Sequence, residues 1–326
     1  MKPLVTIITP SFNQAKYLRY TIESVLNQDY PSIEYIIVDG GSSDGSQEII
    51  KSYSDRLSWW VSEPDQGQAD AINKGFQRAK GEIVAWLNSD DMYLPRTISE
   101  VVRVFQNYPD AGMIYGDAVS SDKDGRLLNE LRFDSWILEE FLEFNIICQP
   151  AAFMKRSILE DSGFLDLSYH FFLDHHLWIR IARETKLIHY PQIWAVSRYH
   201  DQAKNITMSS RAGEEAYRIL DWAATEPDLA KIIDKNHRKV LAGAHQINAR
   251  YLLDGGKSFE AFKKYFQAAS VWLPSIIGYW HRFLFSGLSV IGLGFLGKLY
   301  YRLKRTRSKY ILQDVDLTGW EGIRSS

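Results

Sequence analysis

Cysteine is nearly absent from this chain of 326 residues: Cys148 stands alone. One thiol closes no disulfide within the chain and builds no zinc ribbon, so stability rests on an apolar core, and a reducing compartment fits. A bias of charge is also missing. Lys and Arg number 38 against 40 Asp and Glu, which excludes the strongly basic balance of a nucleic-acid binder; no nucleic acid is expected as a partner. The charge-free stretch Phe283 to Gly297 falls short of the roughly twenty residues a membrane-spanning helix needs. The opening MKPLVTIITPSFN enters a strand pattern at once, and no cleavable leader is expected. No tandem repeat is visible. Two phosphate-binding signatures are lacking as well. There is no G-x-G-x-x-G, and GGSSDG has no G-K-[ST] ending.

What is present is apolar and aromatic: 45% hydrophobic, 13% Phe, Trp and Tyr, enough for one large α/β domain with an appendage. The run Ile83-Val84-Ala85-Trp86-Leu87 reads as a buried strand, and Asn88-Ser89-Asp90-Asp91 follows at its carboxyl end. Ligands of open α/β sheets collect outside the carboxyl ends of strands. Two acids there are oxygen donors for Mg²⁺ or Mn²⁺, and the competing reading is that they cap the helix beginning near Pro95. Further strands are expected at 4–9, 33–38, 57–61, 111–117 and 149–154, with closing strands at 188–190 and 194–199. Helices are expected at 14–28 (Asn13 as N-cap), 47–53, 68–80, 136–144 and 155–162, with 120–129 a polar loop. Strands alternating with helices over the first 117 residues imply a mainly parallel sheet. Asp39 ends the second strand, where its carboxylate could meet a base or ribose or could support the turn.

The motifs combine. TPSFNQAKYLRYTIESVLNQDYPSIEYIIVDGGSSDGS, then EPDQGQADAINKGFQRAKGEIVAWLNSDDMYLP, resembles the family 2 glycosyltransferases of the GT-A fold, a similarity reaching about His200. The resemblance implies that Pro10, Phe12 and Asn13 line a nucleotide pocket and that Asp39 meets the base. Asp70, Asn73 and Lys74 of DAINKG would lie near the nucleotide sugar, as would Asn88, Ser89 and Asp90. The family's L-D-[SA]-D-D reads here Leu87-Asn88-Ser89-Asp90-Asp91, so the first acid has become Asn88. Metal contact would then fall on Asp90, with Asp91 and His200 as further metal candidates and Mn²⁺ or Mg²⁺ as the cofactor. In FFLDHHLWIRIA the family's catalytic base maps onto Asp174, at the first turn of a helix, where unsatisfied N–H groups favour a carboxylate. His175 and His176 are adjacent on that helix and do not point together, so they make no two-histidine site.

The expected organisation is a GT-A domain over 1–205, with a nucleotide-binding half (1–117) and an acceptor half (118–205). A helical extension (206–270) and an apolar, basic tail (271–326) follow. The tail joins aromatic and apolar residues to Lys298, Arg302, Lys304, Arg305, Arg307 and Lys309. That pattern reads as an interfacial anchor, hence a peripheral place on the cytoplasmic face of a membrane; packing on the domain or dimerisation competes with it. The implied activity is transfer of a sugar, with inversion, from a nucleotide diphosphate sugar, expected to be UDP-linked, to a glycan or lipid-linked sugar acceptor in cell-surface polysaccharide or glycolipid assembly. A sugar nucleotidyltransferase and a non-catalytic scaffold of the same fold are the rivals.

Overall fold

The computed structural model of the chain describes residues 2–200 and 212–294. They fall into two compact units, one of 2–135 with 147–199, the other of 136–146, 200 and 212–294. Residues 136–146 thus group with the C-terminal helices and not with the sheet.

The first unit is an α/β domain on one sheet. Among the described residues its strands are β1 (Val5–Ser11), β2 (Ile33–Asp39), β3 (Trp59–Ser62), β4 (Ile83–Trp86), β5 (Met92–Tyr93), β6 (Ala111–Ser121), β7 (Leu127–Leu131), β8 (Ala152–Lys155) and β9 (Lys186–Arg198). They lie in the order β3-β2-β1-β4-β8-β6-β9-β5, with β7 on β6. The first four are parallel throughout, as alternation with helices requires. β8 enters antiparallel between β4 and β6, while β6 and β9 run parallel. Helices α1 (Ala15–Leu26), α2 (Ser46–Ser52), α3 (Gln68–Arg78) and α4 (Thr97–Asn107) connect the early strands, and α6 (Arg156–Ser162) and α7 (Leu173–Glu184) follow β8.

β1 and β4 are buried from end to end, and β2 from Tyr35 on, because helices cover both faces. α3 comes very close to β1. A Cβ on Gly75 would stand 2.5 Å from Cγ2 of Ile8, so only glycine fits there. α7 is fixed by Trp178, which stacks on Trp86 at the end of β4 with centroids 5.4 Å apart.

Two expectations are corrected. Residues 120–129 hold a hairpin and are half strand: β6 runs on to Ser121 and β7 starts at Leu127. The hairpin is closed by Asp122, whose carboxylate accepts the N–H groups of Asp124 and Arg126, with Gly125 left-handed (φ 81°). The two closing strands are one, β9, with a bulge at Pro191-Gln192 where its register on β6 jumps from Tyr190 to Ile193.

The second unit is helical among its described residues: α5 (Leu138–Leu142), α8 (Glu214–Thr225), α9 (Pro227–Asp254), α10 (Ser258–Val271), a 3₁₀ segment (Leu273–Tyr279) and α11 (Trp280–Val290). Pro227 opens α9 at a position where a missing N–H costs nothing. Ala249, Leu252, Leu253, Ala261 and Tyr265 form a small core, with Phe283 packed against it. No helix among the described residues is long and apolar enough to cross a membrane. The basic cluster 298–309 lies outside the described residues.

Candidate active site

The carboxyl ends of β1, β2 and β4 bring the sequence-selected residues to one edge of the sheet. β1 ends with Pro10 and Ser11 buried and Phe12 61% exposed. Asn13 is left-handed (φ 52°) and does not cap α1 as expected. Its side-chain oxygen accepts the N–H of Ser43, and its own N–H donates to Ser42 Oγ. The cap comes from the loop after β2: Gln14 N–H donates to Ser46 Oγ and Ala15 N–H to Asp44 Oδ2 at 2.9 Å. Burial pushes the Asp44 carboxyl up, but the hydrogen bonds from Ser46 and from backbone N–H groups outweigh it and hold it below its ordinary range.

Asp39 is wholly buried at the end of β2. Its carboxylate accepts the N–H groups of Gly41 and Ser42 and the hydroxyls of Ser42 and Ser62, the last two at 2.6 Å. Four donors match what a carboxylate can take, so Asp39 shapes the Gly40–Ser43 loop from within. Beside it lies Asp65, a residue the motif reading passed over. A Cβ on Gly40 would stand 2.6 Å from Asp65 Oδ2, and burial raises the Asp65 carboxyl above its ordinary range. Its position at the carboxyl end of a parallel strand, β3, was the available signal.

The DAINKG residues divide. Asp70 Oδ2 accepts the N–H of Gln66, and Lys74 bridges Glu63 at 2.9 Å and Asp70 at 3.4 Å. Asn73 turns elsewhere. Its amide donates to the carbonyl of Leu165 and accepts that residue's N–H, tying α3 to the loop before α7. Arg180 of α7 holds the same loop through the carbonyls of Ser162, Gly163 and Phe164.

The loop after β4 is the centre of the polar network. Asn88 Oδ1 accepts from Gln68 Nε2 at 2.7 Å, and its Nδ2 donates to Asp91 Oδ2 and Gln149 Oε1, both at 3.2 Å. Gln149 in turn donates to the carbonyl of Trp86. An aspartate at 88 would offer no donor and would set a second charge beside Asp91; asparagine satisfies all three neighbours. Asp91 is buried, and its other oxygen accepts the N–H of Arg198 at 3.0 Å. Burial, and then the charge of Asp90, pushes its carboxyl well above the usual range. Ser89 is buried and Asp90 half-buried. Sequence spacing did not point to Gln68, Gln149 or Arg198, because their partners lie 20, 61 and more than a hundred residues away.

Asp174 sits in the first turn of α7, half-buried, with Oδ1 accepting the N–H of His175 at 2.7 Å. The Trp86–Trp178 stack brings this helix start to the edge where β4 ends. Cys148 marks the proximity: burial first, then the charges of Asp91 and Asp174, push its thiol up. His175 lies edge-on to Phe172, whereas His176 packs on Tyr169 with centroids 4.4 Å apart, so the two do not converge. His200 is buried and belongs to the second unit.

Among the described residues no group of three or more His, Cys, Asp or Glu stands together as a complete metal cage. Mg²⁺ and Mn²⁺ need none where one or two carboxylates hold the ion and substrate phosphates and water complete it. Asp90 at the strand end fits that donor set. The oxygens of Asp91 are committed to Asn88 and Arg198, so it fits as the support of the loop.

A family model described as Glycosyl transferase family 2 matches residues 6–163. An uncharacterized glycosyltransferase of Rickettsia typhi, RT0329, is 30% identical over 237 residues, covering 70% of this chain and 73% of that protein. Some other relatives are longer, and the chain spans 35% and 40% of two of them. Among solved structures, the mannosyltransferase PcManGT of Pyrobaculum calidifontis, in complex with GDP-Man and Mn²⁺, aligns with a TM-score of 0.61 at 21% identity, over 96% of this chain and 86% of that one. S. aureus TarS 1–349 in complex with UDP aligns at 0.53 and 14% identity, over 81% and 88%. These likenesses show a shared GT-A type fold.

Proposed function

The chain belongs to glycosyltransferase family 2, and from that premise we propose that it moves a sugar from a nucleoside diphosphate sugar, a UDP sugar first, to an acceptor hydroxyl with inversion. One observation carries the reading. The Trp86–Trp178 stack holds the first turn of α7, with Asp174, at the sheet edge where Asn88–Asp91 emerges. That packing supports a reading in which the loop meets the donor and Asp174 serves as the base close by, as attack by an acceptor needs.

Each residue then has a part. The exposed ring of Phe12, with Pro10 and Asn13, receives the nucleoside, and Asp39 keeps the Gly40–Ser43 loop in shape beside it. Asn88 and Ser89 face the donor sugar or ribose, with Asp70 and Lys74 behind them. Asp90, supported by Asp91, would hold Mn²⁺ or Mg²⁺, which would supply Lewis acidity toward the departing diphosphate. Asp174 removes the proton of the acceptor hydroxyl as that oxygen attacks the anomeric carbon. PcManGT, bound to GDP-Man and Mn²⁺, and TarS, bound to UDP, support a nucleoside diphosphate donor and a divalent ion. The cap on α1 weighs against the nucleotidyltransferase rival. Asp44 and Ser46 already occupy the N–H groups a triphosphate would use. The acceptor is a glycan or lipid-linked sugar, met at a membrane surface through the exposed apolar residues of the second unit.

The test is calorimetric titration with UDP and GDP in Mn²⁺, followed by donor-sugar hydrolysis over a panel of nucleotide sugars. Wild type should bind a nucleoside diphosphate only with the cation, and Asp90→Ala should lose that cation-dependent binding with an unchanged melting temperature. Equal binding by wild type and Asp90→Ala would remove Asp90 from the site.

A further inference from the structure

Arg198 is the last residue of β9 and is only 4% exposed. Its backbone N–H holds Asp91, and its side chain turns toward α1 and the loop after β4. There Nε donates to the carbonyl of Asp90 at 3.2 Å, and Nη2 reaches Met92 Sδ at 3.7 Å. The guanidinium lies over the rings of Tyr17 and Tyr20, 5.0 and 5.6 Å from their centroids. Nη1 is buried with no hydrogen-bond partner, and no carboxylate among the described residues forms an ion pair with this arginine. A buried guanidinium has five N–H donors to satisfy, and here one carbonyl and one thioether take two of them. An arrangement so costly to bury is not what packing alone would select.

We propose that Arg198 is an anion receptor: its unpaired edge takes two oxygens of a phosphate group, and within the reading above that group is the diphosphate of the donor. The chemistry follows from shape. A guanidinium presents parallel N–H groups that match two phosphate oxygens, and the tyrosine faces hold its plane so that little freedom is lost on binding. The site is assembled by the elements already assigned to the donor. Tyr17 and Tyr20 belong to α1, which begins just past Asn13, and the Asp90 carbonyl fixes Nε beside the metal-holding candidate. Arg198 is therefore a fixed cation on the diphosphate, distinct from any ion that Asp90 holds, and its backbone clamp on Asp91 couples the two.

The full-length protein, with Arg198→Met and Arg198→Lys variants, is titrated by calorimetry at constant Mg²⁺ with UDP, GDP and inorganic pyrophosphate. Uridine and guanosine serve as phosphate-free controls. Loss of a charge-assisted contact should weaken binding of the preferred nucleoside diphosphate and of pyrophosphate roughly ten- to a hundred-fold, leaving the nucleosides unchanged. Arg198→Lys, which keeps the charge but not the fork, should fall between wild type and Arg198→Met; it decides alone if Arg198→Met does not fold. Diphosphate affinity unchanged in a folded variant would overturn the assignment while the nucleotide reading stands. Pyrophosphate binding that depends on Arg198, without any nucleotide binding, would uphold Arg198 and defeat the nucleotide reading. A wild-type protein that binds neither UDP, GDP nor pyrophosphate would overturn the assignment as well.

Discussion

In the first unit the apolar side chains of β1, of β2 from Tyr35 on and of β4 are buried, and the polar ones at the strand ends are spent largely on each other: Asp39 on its serines, Asn88 on Gln68, Asp91 and Gln149. In the second, α9, α10 and α11 share a small core, while Leu273, Ile277 and Trp280 stand 65%, 68% and 62% exposed. The difference teaches what each part is shaped against. A sheet covered on both faces leaves its chemistry to the strand ends, where small changes reposition ligands. Exposed apolar residues of this kind are candidates for a surface that meets lipid or a partner.

The comparison breaks most sharply at Asp174, where the first unit should lose function without losing structure. Asp174→Asn keeps shape and helix-start hydrogen bonding but accepts no proton at neutral pH. General base catalysis contributes about 10²–10⁴-fold, roughly 3–5 kcal/mol of barrier. Turnover should drop by that much, with donor affinity and melting temperature nearly unchanged, since asparagine is also favoured at helix starts. Near-normal turnover would show that Asp174 is not the base.

The same contrast explains what was legible in the sequence. The early strands were readable because burial on both faces leaves continuous apolar runs, and the family motifs sit at their carboxyl ends. Asp174 at a helix start followed from the periodicity of Leu177, Trp178 and Ile181. Other features depend on distant partners. Asn13 looked like a cap, but Asp44 and Ser46, some thirty residues on, do the capping. Asn73 looked like a ligand-facing amide, but Leu165 takes both its groups. Arg198 and Gln149 carried no local pattern at all. The hairpin after β6 did have a signal, Asp-Lys-Asp-Gly, which reads as a turn between strands as readily as a loop.

A smaller effect is expected at the apolar face of the second unit. If that face meets lipid, full-length protein should co-sediment with vesicles rich in phosphatidylglycerol, and Ile277→Glu or Trp280→Glu should each weaken this about ten-fold or more. Burying such a side chain is worth about 1.5–3 kcal/mol. Turnover on a soluble acceptor should stay the same. Wild type that ignores the vesicles but self-associates in sedimentation equilibrium, with the same substitutions abolishing association, would turn the face into a dimer surface.

The smallest effect tests the inner side of that unit. His245 of α9 has Nδ1 2.7 Å from the hydroxyl of Tyr217, and Lys264 lies over the Tyr217 ring, 4.8 Å from its centroid. Burial, and then the positive charge of Lys264, lowers the His245 pKa from 6.5 to about 4. Both causes disfavour the imidazolium, so the folded unit holds neutral imidazole, with Tyr217 donating to Nδ1. In the unfolded chain the ring titrates near 6.5. Between about 6.5 and about 4 the unfolded state therefore binds more protons, and stability must fall as pH falls through that window. Carboxylates titrate at its lower end too, so the measurement is a difference. His245→Gln keeps an acceptor for Tyr217 but has no titrating ring. Its melting temperature should decline less than that of wild type between pH 7 and pH 4.5, with the gap opening first between pH 6.5 and 5.5, above the carboxylate range. Parallel declines for the two proteins would mean that His245 is no more shielded than a histidine on the surface.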